Sequence, residues 1–61
     1  MKFKLTYFEV KKFGEDMWQE VPEKIFLEKI VDCFDPVSPI LEKILQGNEI
    51  VANAEIYRTR T

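Results

Sequence analysis

Apolar and polar residues alternate along residues 2–13, KFKLTYFEVKKF, and a period of two in a stretch this rich in aromatic and β-branched side chains predicts a strand. Phe3, Leu5 and Tyr7 share one parity, and Thr6, Phe8 and Val10 share the other, so both faces carry apolar weight. FGED at 13–16 supplies a turn at Gly14, and MWQEV at 17–21 reads as a short returning strand. The two segments make a hairpin.

The period then lengthens. After Pro22, Phe26, Leu27, Ile30, Val31 and Phe34 recur at helical spacing as one wide apolar stripe, with Glu28, Lys29 and Asp32 off it. Pro22 suits the first helical position, where a missing N–H has no helical partner to lose. Glu23 suits the positive end of the helix dipole. DPVSP at 35–39 ends the helix, because the residue before a proline avoids helical backbone angles. Ser38 reads as the N-cap of a second helix, PILEKILQ at 39–46, which Gly47 terminates. Ile40, Leu41, Ile44 and Leu45 form its apolar face.

Alternation returns in EIVANAEIYRTRT at 49–61, with Ile50, Ala52, Ala54 and Ile56 on one side and Val51, Asn53, Glu55 and Tyr57 on the other. The order β-β-α-α-β predicts an α+β fold. It has one three-stranded sheet in the order 2-1-3, with the last strand beside the first and two helices packed on one face. Residues 1–61 make a single domain, since a chain of 61 residues is too short for two.

Composition narrows the chemistry. At 46% hydrophobic and 33% charged, the chain has the make-up of a folded domain rather than a disordered one. With one cysteine and no histidine, neither an internal disulfide nor a standard zinc site is expected. No cofactor or other metal is expected either. Cys33 falls where the helical stripe is densest and reads as a buried thiol, inert as a nucleophile and suited to a reducing compartment. Gly14 and Gly47 stand alone, so no glycine-rich loop cradles a phosphate. The paired carboxylates Glu15/Asp16 and Asp32/Asp35 fall in a turn and at a helix end, where such groups are solvated. The chain reads as non-enzymatic. Its longest near-apolar run, Ile25 to Phe34, is interrupted by Glu28, Lys29 and Asp32, and its start lacks a signal-peptide core. A cytoplasmic protein without membrane contact is expected.

Charge is unevenly laid out. Residues 1–14 set four lysines against Glu9, residues 15–55 set ten acids against three lysines, and the last six residues add Arg58 and Arg60. If the helices cover the parity of Tyr7, Ile50 and Ile56, the outer sheet face shows Phe8, Val10 and Tyr57 among Lys4 and Lys12. Trp18 joins it across the hairpin, and Arg58 and Arg60 extend it. Phe8, Val10, Trp18, Tyr57, Lys4, Lys12, Arg58 and Arg60 are thus the candidate interaction surface.

Two functions fit such a face. One is a small protein-interaction module, a regulator or inhibitor, whose partner is another protein or a second copy in a homodimer. The alternative is a single-stranded nucleic-acid binder that stacks bases on the rings and tracks phosphates with the cations. The net charge of −2 favours the first, since dedicated nucleic-acid binders tend to be basic. The competing structural reading sends Phe8 and Trp18 into the core after a bulge shifts the strand parity.

Overall fold

The computed structural model describes residues 5–61. Its elements are β1 (Tyr7–Lys12), β2 (Gln19–Val21), α1 (Glu23–Cys33), α2 (Ser38–Leu45), β3 (Ile50–Ala52) and β4 (Glu55–Arg60). The α+β class holds, with both helices on one face of an antiparallel sheet. The sheet has four strands rather than three, in the order β2-β1-β4-β3. The final strand lies beside the first, but its leading segment folds back as a separate edge strand.

The physical reason is a two-residue turn. Asn53 and Ala54 both adopt positive φ, 52° and 60°, the left-handed conformation that closes a tight hairpin with the right twist. Ala52 therefore faces Glu55, Val51 faces Ile56, and Ile50 faces Tyr57. Residues directly opposite one another share a sheet face. The turn puts Tyr57 on the side of Ile50 and Ala52, and Ile56 on the other, reversing the parity expected from unbroken alternation.

β1 carries this reversal inward. Val10 pairs with Tyr57 and Phe8 with Thr59, while Glu9 pairs with Arg58 and Tyr7 with Arg60. Val10 and Tyr57 join Phe26, Ile30 and Ile44 in the core, with Phe8, Val21, Phe34, Val37, Ile40, Ile50 and Ala52 packed around them. Phe26 sits between two aromatic rings. Its centroid is 4.9 Å from Phe8 and 5.8 Å from Tyr57, the latter edge-on.

α1 lies over β1, and α2 lies over β4 and β3. The Thr59 hydroxyl donates to the Ile44 carbonyl at 2.9 Å and ties α2 to the sheet. Because α1 rests on one side only, its buried stripe is narrower than the expected one. Phe26 and Ile30 are fully buried, Leu27 is half-buried, and Val31 is 58% exposed. Pro22 precedes α1 rather than opening it, and its carbonyl accepts the Phe26 N–H at 3.0 Å. Likewise Val37, not Ser38, occupies the N-cap of α2.

α2 ends as its glycine implies. Gly47, at φ 99°, donates to the Ile44 carbonyl, and Asn48 donates to the Lys43 carbonyl. This pair of bonds is a Schellman closure, which satisfies two carbonyls that the helix leaves over.

Candidate interaction surface on the open sheet face

Among the described residues, neither helix covers the second face of the sheet. Alternation and register place Tyr7, Glu9 and Lys11 of β1 there, with Ile56, Arg58 and Arg60 of β4 and Val51 of β3. Glu9 is at its centre. It is only 6% exposed, a depth at which a carboxylate needs partners. It has two. Arg58 Nε donates to Glu9 Oε1 at 2.9 Å, and Arg60 Nε donates to Oε2 at 3.2 Å.

Burial is the largest influence on the Glu9 carboxyl and raises its pKa. The two arginine hydrogen bonds and the arginine charges together outweigh it, so the group titrates below its ordinary value of 4.5. Glu9 stays ionised and holds both guanidinium groups against the sheet.

The same guanidinium groups lie on aromatic rings. Arg58 sits 3.8 Å from the centre of the Trp18 ring, and Arg60 sits 4.8 Å from that of Tyr7. Lys11 adds its ammonium 5.0 Å from Trp18. Arg58 also approaches Glu49, with Nη1 3.9 Å from Oε2. Trp18 lies in the loop before β2 and belongs to no strand, so these cations fix its place. Planar guanidinium stacked on a ring and hydrogen-bonded to a carboxylate loses little further freedom on binding.

Of the residues expected at an interaction surface, Trp18, Arg58 and Arg60 meet on this face. Phe8, Val10 and Tyr57 lie on the helix side, within or against the core. Lys12 shares their parity and is exposed at the end of β1, opposite Glu55. Lys4 lies outside the described residues. Phe8 turns inward without carrying Trp18 with it, and β1 pairs with β4 residue for residue from Tyr7 to Lys12, without a bulge.

Sequence reasoning missed Tyr7, Glu9 and Lys11. The signal was Glu9 itself, the only acid in the first 14 residues, in a segment that must pair with a strand bearing two arginines.

A second polar cluster lies on the helix side, where the last turn of α1 meets the β3–β4 turn. The cleft has a volume of about 180 Å³ and is lined by Lys29, Asp32, Cys33, Asn53, Glu55 and Tyr57. Cys33 is half-buried there rather than sealed in the core. Asn53 Nδ2 donates to its Sγ at 3.0 Å, and the Tyr57 hydroxyl lies 3.9 Å from it. That hydroxyl also donates to Glu55 Oε1 at 3.0 Å, and Lys29 Nζ is 3.8 Å from the same oxygen. Burial first, then the hydrogen bonds to Glu55 and Cys33, push the Tyr57 phenol above its ordinary range. These contacts pin α1 to the turn. Among the described residues, no three His, Cys, Asp or Glu side chains gather to hold a metal.

A larger, shallow groove runs along α1, lined by Lys24, Leu27, Glu28, Val31 and Asp32. All five residues belong to one helix, and among the described residues no other element lines the groove. Among the described residues, no helix is long and apolar enough to cross a membrane.

No protein-family model matches this chain, and no curated protein or solved structure shows a significant match to it. What the fold and the site define is a small α+β domain with one open, cation-and-aromatic sheet face.

Proposed function

We propose that this protein is a small non-enzymatic interaction module, a regulator or inhibitor, that binds another protein through the open sheet face. The observation that carries this reading is the Glu9 clamp. A buried carboxylate holds Arg58 and Arg60 on a face that neither helix covers among the described residues, each guanidinium over an aromatic ring. Tryptophan, tyrosine and arginine are the residues that most often dominate binding energy, and here they are held in place before any partner arrives.

The size of the face limits the partner. Four strands of up to six residues span roughly 20 Å by 20 Å, on the order of 400 Å². A standard interface covers about 800 Å² per partner. A partner must therefore also reach the bordering segments, where Leu5, Phe13 and Met17 are exposed apolar residues. A second copy packed flat on this face alone makes a weak dimer.

The single-stranded nucleic-acid reading has less support. Phe8 and Tyr57, two of its three stacking rings, belong to the core. Trp18 and Tyr7 already carry guanidinium groups, and Glu9 and Glu49 offset the arginine charge.

Capture of native-host proteins on the immobilised chain tests the proposal. A protein retained by the wild type should be lost with Trp18→Ala and with Arg60→Ala, and kept with Val31→Ala on the far side. A partner that survives both open-face changes rules this surface out. Labelled single-stranded DNA and RNA decide the alternative: tight binding with a log–log salt slope of about −0.7 per phosphate contacted would establish it.

A further inference from the structure

Among the described residues, β2 and β3 are the two edges of the sheet, and they are guarded unequally. β2 has exposed Glu20 at its centre and is followed by Pro22, whose nitrogen carries no hydrogen. A two-fold pairing through Glu20 would set two carboxylates side by side. Charge and proline of this kind are what edge strands use to refuse a neighbour. β3 reads Ile50–Val51–Ala52, with neither charge nor proline.

The β3 edge also has its hydrogen-bonding groups turned outward. In a two-residue hairpin the pair closing the turn, here Ala52 and Glu55, exchanges the backbone bonds. Antiparallel pairs alternate, so Val51 and Ile56 form a pair without bonds between them. The bond from the Phe13 N–H to the Ala54 carbonyl, on the other side of β4, fits the same alternation. The Val51 N–H and C=O therefore point away from β4, toward solvent.

An apolar side chain stands at that edge on the open face. Val51 is 53% exposed on the open face. On the other face α2 rests on β4 and β3, with Ile44 buried and Ile40 against the core. By helical spacing, Leu41 and Leu45 lie on the other side of Ile44 from Ile40.

We infer that a second copy of this chain pairs along β3, antiparallel about a two-fold axis through Val51, to make one eight-stranded sheet. Each Val51 N–H donates to the opposite Val51 carbonyl. Glu49 comes opposite the partner's Asn53, so no like charges meet. The two Val51 side chains cover one another on the open face. The open faces of the two copies join side by side into a platform of twice the width. The β3 edge meets the Glu9 clamp at Glu49, 3.9 Å from Arg58, but Val51 is not a residue of the clamp, so loss of the dimer leaves the open-face reading standing.

With only three residues per edge strand, the association is a concentration-dependent equilibrium. Sedimentation equilibrium from micromolar to millimolar chain should show monomer passing to dimer. Val51→Lys should weaken association about tenfold or more, by placing the usual edge guard on the axis. Val51→Thr, which keeps the β-branched shape of the strand residue, should weaken association less, and it carries the test if Val51→Lys fails to fold. Glu20→Gln, on the β2 edge, should leave the equilibrium where it was. Exchange of the Val51 amide proton should slow as concentration rises. A wild-type chain that stays monomeric at millimolar concentration overturns the inference, as does a dimer that neither Val51 variant disturbs.

Discussion

Glu9 and Arg58 stand directly opposite one another across β1 and β4, and the arginine Nε meets the carboxylate at 2.9 Å. The pair lies on the sheet face that, among the described residues, neither helix covers, yet the carboxylate is buried and bonded to two arginines. Removing it leaves two guanidinium groups without their anchor. Glu9→Ala should cost about 1.5–3 kcal/mol, the range for hydrogen bonds to a charged group. Chemical denaturation of the two proteins checks this, and Trp18 fluorescence should report a more mobile ring.

The same carboxylate sets an acid limit. Its folded pKa lies below the ordinary 4.5, so ionised Glu9 contributes stability that is present above that pH. The contribution is lost as pH falls through the depressed folded value. Glu9→Gln should therefore flatten the fall in stability below about pH 4.5, measured as denaturation midpoint against pH.

Phe26 and Val31 belong to one expected stripe but have opposite weights. Phe26 is fully buried between Phe8 and Tyr57, so Phe26→Ala should cost about 3–5 kcal/mol. Val31 is largely exposed, and Val31→Ala should stay within about 0.5 kcal/mol of wild type. Equal losses would mean that α1 is rotated from the orientation described.

Ala54 holds a left-handed conformation at φ 60°, which costs an L-residue roughly 1–2 kcal/mol. Ala54→Gly removes that strain and returns part of the gain as extra freedom in the unfolded chain. A net stabilisation of up to about 1 kcal/mol should appear as a higher melting temperature.

Gly47 gives the opposite sign. It closes α2 at φ 99°, and a Cβ added there meets no atom within 4 Å. The cost of Gly47→Ala is then backbone strain alone, about 1 kcal/mol of lost stability. A larger loss would point to a contact that the open space around Gly47 does not contain.

Much of the fold was legible without coordinates. The change from a period of two to helical spacing after Pro22 marks where strand gives way to helix. Pro36 marks where α1 must stop, Pro39 marks the first turn of α2, and Gly47 marks where α2 ends. Local sterics act on neighbouring residues, so local sequence carries them. The open face was legible only in part: Trp18, Arg58 and Arg60 were singled out, and the acid that organises them was not.

What the tertiary structure decided is which side of each strand faces inward. Alternation says which residues share a face, and it holds equally well with either face buried. The choice was made at Asn53 and Ala54, where two residues in left-handed conformation fold the last strand into a hairpin and flip its parity. Tyr57 thereby enters the core against Val10, and Arg58 emerges opposite Glu9. Those partners lie 47 and 49 positions apart along the chain. Only the register of β1 against β4, set by the turn and by the helices packed above, brings them together, because burying Phe8, Val10 and Tyr57 removes more apolar surface from water than burying Tyr7 and Ile56 beside two arginines.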